Sequence, residues 1–581
     1  MFATTDHKTG YLFDPWEQLG PKRRKLLEES WAGIFRKYVL VTLPVERLAP
    51  FFHTSHGRPT KEMYTCLGAV ILQQMHDLSD EELLFELSFN EAWHYALDIL
   101  GESDDAKYLC PKTLWNIRKL VTDNELEGVL FQTVTDKLAE VFKVDVSKQR
   151  LDSVHIKSNM RRLGRIGIFV KTLHKFLVNL KRQHKALFDS LPVELVSKYI
   201  GKQSLGCFSF VKPSESEKTL SSLAFDLYEL VSRFSSDTAI CGMSSYKLLK
   251  RVLDEQCTVT VNKDGGPAEV NVKLSKKVRS DSLQNPSDPD ATYDGHKGQG
   301  YQVQVMETYL EGEKQDASPL NLITHVEVEQ AHESDAHALI PAVSSVIERD
   351  LAPKRLLADS LYGSDENHQA SFEKGIDLIS PVMGRASKKK MDLSDFELSE
   401  HGVVMTCPAG NHPIRTKKKK NRHTAAFAYD QCFQCPLRAS CPVKPGKKRW
   451  YLRYDDKAIR IATRRKQEQQ PVFKDKYRFR AGVEATMSEL DRRTGIKHLR
   501  VRGFPAVRMC ATLKALGVNI FRAAAASVRP PVLVPNFRHA CCFVECRLSS
   551  YMRRITAFTG RLKEICRQFI GKRKFVQFGT I

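Results

Sequence analysis

Two aspartates and a glutamate stand where apolar segments end or dock. In "LLADSLYGSDEN" (Leu356–Asn367) the apolar run Leu356-Leu357-Ala358 stops at Asp359, and Ser360-Leu361-Tyr362-Gly363 turns at once. A lone Asp there is commonly a cap or turn former. In "LDSVHI" the alternation predicts a strand with Leu151, Ser153 and His155 on one face and Asp152, Val154 and Ile156 on the other. The third acid comes from a helix. At about 100° per residue, Tyr477, Arg480, Glu484, Ser488 and Asp491 share a polar face beside the apolar stripe Val483, Met487 and Leu490. The stripe would dock the helix on a sheet and lean Glu484 towards the strand ends. Arg480, one turn earlier, can orient that carboxylate; Glu489, elsewhere on the helix, is the rival acid. Three converging carboxylates repel one another without a counter-cation, and oxygen-only ligation suits Mg²⁺ or Mn²⁺. Two such ions about 3.5–4 Å apart activate a water or 3′-hydroxyl and stabilise the leaving oxygen of a phosphodiester. Joined to the chain's net charge of +22, this chemistry points to DNA strand cleavage and joining.

The elements that must position these acids follow in order along the chain. Residues 1–48 read as a helical lead-in. Residues 49–140 have helical periodicity, with a capping box at Ser79 and Glu82, and suit either a helical DNA-binding domain or a packing domain. Residues 141–384 give strands and helices of a mixed α/β sheet, interrupted by a helical insertion at 161–255. "GHKGQGYQVQVMETY" is a hairpin strand, and Ser334 or Asp335 opens a helix. Its glycines are those of a hairpin turn, where His296 and Lys297 are exposed turn residues within reach of DNA. Residues 385–470 are a basic, Cys-containing insertion, 471–525 return to helix, and 526–581 form a basic tail.

Charge points the same way. The net charge of +22 over 581 residues suits a polyanion, and it is unevenly placed. From Asp491 to Ile581 there are 19 Lys and Arg against 3 Asp and Glu, and "RTKKKKNRH" is another dense run. Nucleic acid is the partner expected. No apolar run reaches the ~18 residues a membrane helix needs, and the start lacks a signal-peptide pattern. The expected compartment is therefore the cytoplasm, in association with the nucleoid, where most of the 14 cysteines stay reduced. Cys432 and Cys435 form a CxxC knuckle that Cys407 and Cys441 could close into a structural zinc site; the alternative is four reduced thiols. Cys541, Cys542, Cys546 and Cys566 read as ordinary thiols.

"RLDSVHIKSN", "YDGHKGQGYQVQVMET", "LLADSLYGSDEN" and "YRFRAGVEATMSELDRRTGIKHLRVRG" together resemble the DDE transposases of bacterial insertion sequences. Tyr477, Arg480 and Glu484 match that group's Tyr-x2-Arg-x3-Glu signature. The N-terminal "GRPTKEMYTCLGAVILQQM" resembles the helical domain that often precedes these cores, and "CPAG…CFQCPLRASC" a Cys-bearing insertion of some relatives. The likeness spans about residues 45 to 525. It implies an RNase H-like core, the triad Asp152, Asp359 and Glu484 binding Mg²⁺, and recognition of inverted-repeat ends and target DNA. It further implies a homodimer in the synaptic complex. The signature continues with a Lys seven residues after Glu; here Asp491 stands there, leaving Arg492 and Arg493 as candidates for a DNA-phosphate contact. Two other readings stay open: an RNase H-like nuclease that cuts without joining, and a non-catalytic DNA-binding descendant. The intact acids argue against the second.

Overall fold

The computed structural model describes residues 2–53, 56–201, 208, 211–260, 269–311, 320–384 and 390–528. The basic tail from residue 529 onward, with its four cysteines, lies outside the described residues. The alternation around Asp152 becomes strand β1, Lys148–Lys157, at the centre of a six-stranded sheet. The others are β2 (Gly298–Thr308), β3 (Ile323–Gln330), β4 (Arg355–Ala358) and β5 (Asp377–Ile379), with a short strand Thr292–Asp294 on the start of β2. The order is β3-β2-β1-β4-β5. β2 runs antiparallel to β1 and β3, while β4 is parallel to β1 and β5. This is an RNase H-like mixed sheet flanked by helices.

Parallel neighbours need crossovers. Between the parallel neighbours β4 and β5 it is a helix at Asp365–Glu373, and helix α2 (Asp335–Ile347) carries the chain from β3 across to β4. Ser334 occupies the N-cap position of α2, but its side chain accepts no capping hydrogen bond; Asp335 is buried and accepts from Gln304 Nε2 at 2.9 Å. The segment between β1 and β2 carries helices from Arg165–Gln183 to Ser244–Gln256, which bury a separate apolar core around Phe169, Phe176, Leu227 and Leu249.

The N-terminal helices share one continuous apolar core with the sheet and the last helix. Helix α1 (Met63–Met75) is buried along almost its whole length, and the Ser79–Glu82 capping box opens the next helix. Helix α4 (Phe504–Val528) crosses α1 closely: a Cβ on Gly517 would lie 2.8 Å from the Met75 backbone. α4 also covers the sheet edge. Asn519 accepts from the Ile323 N–H and donates to its C=O, both at 2.8 Å, and so stands in for a neighbouring strand. No helix of the described residues is long and apolar enough to cross a membrane.

Residues 390–470 build a small module with its own core of Phe396, Phe427, Trp450 and Leu452. A four-stranded sheet carries the basic hairpin Arg415–Lys419 and Arg422–Phe427, whose first strand is wholly exposed. The module's helix Asp456–Glu468 returns to the core: Arg460 pairs with Asp365 at 2.5 Å, and Arg464 Nη2 donates to the Gly363 carbonyl at 2.9 Å. The insertion is thus tied to the turn that follows β4.

One buried base gives the fold an acid-sensitive point. His325 on β3 is 6% exposed, its Nε2 has no hydrogen-bond partner, and burial with Arg349 nearby pushes its pKa down to about 4. The unfolded chain therefore takes up a proton near pH 6.5 that the fold refuses, so stability is full above that pH and falls as pH drops towards 4. Between pH 7.5 and about pH 5 this amounts to on the order of 2 kcal/mol. Urea midpoints at the two pH values should show a loss that His325→Leu reduces by that amount; an unchanged loss would place the acid sensitivity elsewhere.

Candidate active site

Strand register alone brings two of the acids together. Leu151 of β1 pairs with Ala358 of β4, so Asp152 and Asp359 are the next residues on adjacent parallel strands, which run about 4.8 Å apart. Asp359 also serves its turn: its Oδ1 accepts from the Leu361 N–H at 2.8 Å. Two further contacts fix the turn. The Tyr362 hydroxyl donates to Gln304 Oε1 at 2.5 Å on the other side of β1, and Gly363 sits so close to Pro381 that a Cβ would lie 1.8 Å from its carbonyl oxygen. A turn former and a presented carboxylate are therefore compatible roles.

Asp152 is largely buried. Burial pushes its carboxyl up to about 6, against the opposing pull of the Arg480 guanidinium, and Asp359 and Asp335 add like charge. Arg480 Nη2 contacts Asp152 Oδ2 at 2.6 Å, and its Nη1 lies 3.4 Å from Glu484 Oε1. One guanidinium thus joins the first and third acids. Glu484 itself is 72% exposed in its side chain.

The single helix expected from Tyr477 to Leu490 is a correction. The chain forms a helix Pro471–Tyr477, a tighter 3-10 turn Arg478–Ala481, and then α3 (Gly482–Thr494). Arg150 on β1 packs against this turn. Its Nη1 donates to the Phe479 carbonyl at 2.8 Å, which also accepts from the Gly482 N–H three residues on. Its guanidinium also occupies the space beside Gly482, where a Cβ would come within 2.1 Å. The apolar stripe survives: Val483, Met487 and Leu490 are buried. Tyr477 is half-buried and packs with Phe473 and Phe479 over Tyr309, Leu357 and Ile379; burial pushes its hydroxyl up, and both aspartates add to this.

The rival acid is engaged elsewhere. Glu489 pairs with Arg493 and Arg522, each at 2.9 Å. Arg522 and Arg150 both reach Glu307 of β2, which is fully buried and also accepts from Thr486 at 2.6 Å. This buried network clamps α3 and α4 to the sheet. The sequence gives no sign of it, because its members alternate with ordinary charged residues of strands and helices. Asp335, at the start of α2, lies near enough to Asp152 to raise its carboxyl. Arg493 further stacks on Phe521, whereas Arg492 is exposed and without an ion pair among the described residues. Lys297 is exposed, with Nζ 3.4 Å from Ser153 Oγ. Asp491, at the position of the signature lysine, has Lys497 Nζ 3.5 Å away and accepts from the Lys497 N–H.

As they stand, no three His, Cys, Asp or Glu side chains among the described residues are drawn together to hold a metal ion. The donor set nonetheless fits a hard divalent cation. Two carboxylates stand side by side, and the buried one carries a raised pKa that an added positive charge would relieve.

Residues 34–120 match a family model described as Transposase domain (DUF772), and residues 406–524 match one described as Transposase DDE domain. The first covers N-terminal helices including α1. The second covers the Cys-bearing module, Tyr477, Arg480, Glu484 and most of α4, but neither reaches Asp152 or Asp359. No curated protein matches the chain.

Proposed function

With both matches supporting a DDE transposase of the insertion-sequence type, we propose that this chain binds the inverted-repeat ends of its own element and cleaves and joins DNA there. The observation that carries the reading is the pairing of β1 with β4, which sets Asp152 beside Asp359, together with Arg480 linking Asp152 to Glu484. In this reading Asp152 and Asp359 hold the metal and Glu484 completes its ligands. The Mg²⁺ or Mn²⁺ held there would supply activation of the attacking oxygen and stabilisation of the leaving one. The chain's own groups do the rest. Arg480 offsets the charge on Asp152 and Glu484 and aims both carboxylates. Tyr477 closes the apolar side of the site. Arg492, Lys297 and the basic hairpin at Arg415–Arg422 lie exposed for phosphates, and two copies would act on the paired ends near the nucleoid.

The test is a cleavage and strand-transfer assay on double-stranded DNA carrying the repeats that flank the coding region, with a plasmid as target. End cleavage and joined products are expected with Mg²⁺, and neither with EDTA. Nicking without joining would favour the RNase H-like nuclease, and binding with no cleavage under any divalent ion would favour an inactive descendant.

A further inference from the structure

We propose that Cys407, Cys432, Cys435 and Cys441 bind one structural Zn²⁺ that fixes the base of the basic hairpin. Three separate stretches of chain bring these thiols to one small cavity of about 20 Å³, whose other walls include Phe427, Trp450 and Arg438. That is space for about one water-sized occupant. The thiols are free, and each is half-buried. They do not stand at ligation distance as they are, so binding requires them to close inward.

Three features prepare that closure. The Asn411 N–H donates to Cys407 Sγ at 3.3 Å within a tight turn in which the Cys407 and Asn411 backbones pair and Gly410 takes φ +79°. The Val443 backbone N–H serves Cys441 in the same way. Lastly, the Arg438 guanidinium lies over the Phe433 and Trp450 rings and donates to the Phe433 carbonyl at 3.2 Å. It offsets the net charge of −2 that a four-thiolate zinc carries.

On binding, four S–H bonds are lost, four Zn–S bonds form at about 2.3 Å, and four protons pass to solvent. No redox partner is needed. The consequence is local and mechanical. Cys407 precedes and Cys432 follows the hairpin Arg415–Phe427 in sequence, so the ion would join its two ends. A module whose own core is only a small cluster gains most from such a cross-link.

The experiment uses the full chain, purified under reducing conditions, with zinc measured by elemental analysis and the metal-free protein titrated with Co²⁺. About one zinc per chain and the intense visible absorption of tetrahedral cobalt thiolate are expected. Cys435→Ser should weaken the metal by more than the roughly 10–100-fold that loss of an outer-shell partner costs. Cys110→Ser, in the N-terminal helices, should leave it unchanged. Absence of both zinc and the cobalt thiolate spectrum in wild-type protein would overturn the proposal. So would undiminished binding by Cys435→Ser, or disulfides mapped among the four. If Cys435→Ser fails to fold, the wild-type cobalt titration still decides. None of these readouts depends on DNA cleavage, so they stand or fall apart from the transposase reading.

Discussion

Glu307→Ala should cost about 3–5 kcal/mol of stability, the largest single effect we expect in the fold. Glu307 is 0% exposed and accepts from Arg150 on β1, Thr486 on α3 and Arg522 on α4. Removing it leaves two guanidinium groups facing each other without their shared anion, and Arg150 is itself only 8% exposed. The penalty is that of uncompensated buried charge rather than of lost contact area. Glu307→Gln keeps one acceptor oxygen but not the charge, and should fall between. Thr486→Val, which removes one hydroxyl partner, should cost only ~1 kcal/mol. Urea unfolding of the four proteins gives the ranking. A loss below about 1 kcal/mol for Glu307→Ala would mean that the guanidiniums find water, and that the clamp on α3 is not electrostatic. The clamp also bears on the site, since α3 carries Glu484.

Local pattern made much of this legible. Alternation around Asp152 gave strand β1, and the apolar run before Asp359 gave β4, because a half-buried strand writes its period into its residues. The Ser79–Glu82 box was equally direct, since capping is completed within one turn. The break at Arg478–Ala481 was not legible: Gly482 and the amphipathic stripe both permit a continuous helix. The side chain that meets that turn is Arg150, which lies more than three hundred residues earlier and donates to the Phe479 carbonyl. The cysteines differ: Cys407 and Cys441 group with the CxxC from sequence, and the fold of the module brings all four to one cavity. Nor did the helical pattern at 49–140 reveal a core continuous with α4, because a buried face does not say what covers it.

Glu484 and Glu489, five residues apart on α3, should fail in opposite ways. Glu484 is exposed, and its ion pair with Arg480 is 3.4 Å long, so Glu484→Gln should leave stability within about 0.5 kcal/mol of wild type. If it completes the metal ligands, cleavage and strand transfer should nevertheless fall at least about 10²–10³-fold, the scale on which removal of one preorganised charge acts. Glu489 holds Arg493 and Arg522, and Arg522 is also bound to Glu307. Glu489→Gln should therefore cost about 1–3 kcal/mol, because it weakens a charged partner that the buried network relies on. Activity per folded molecule should stay near wild type. Urea unfolding beside the strand-transfer assay separates the two losses, and the reverse pattern would make Glu489 the third acid. Arg480→Gln adds a third arm. It removes the cation from beside a carboxyl already pushed up to about 6, so Asp152 should be harder to ionise and apparent metal affinity should fall. Excess Mg²⁺ should recover part of that activity, whereas it should recover none in Glu484→Gln. A side chain that only aims and neutralises the acids can be replaced in part by more metal, and a lost ligand cannot.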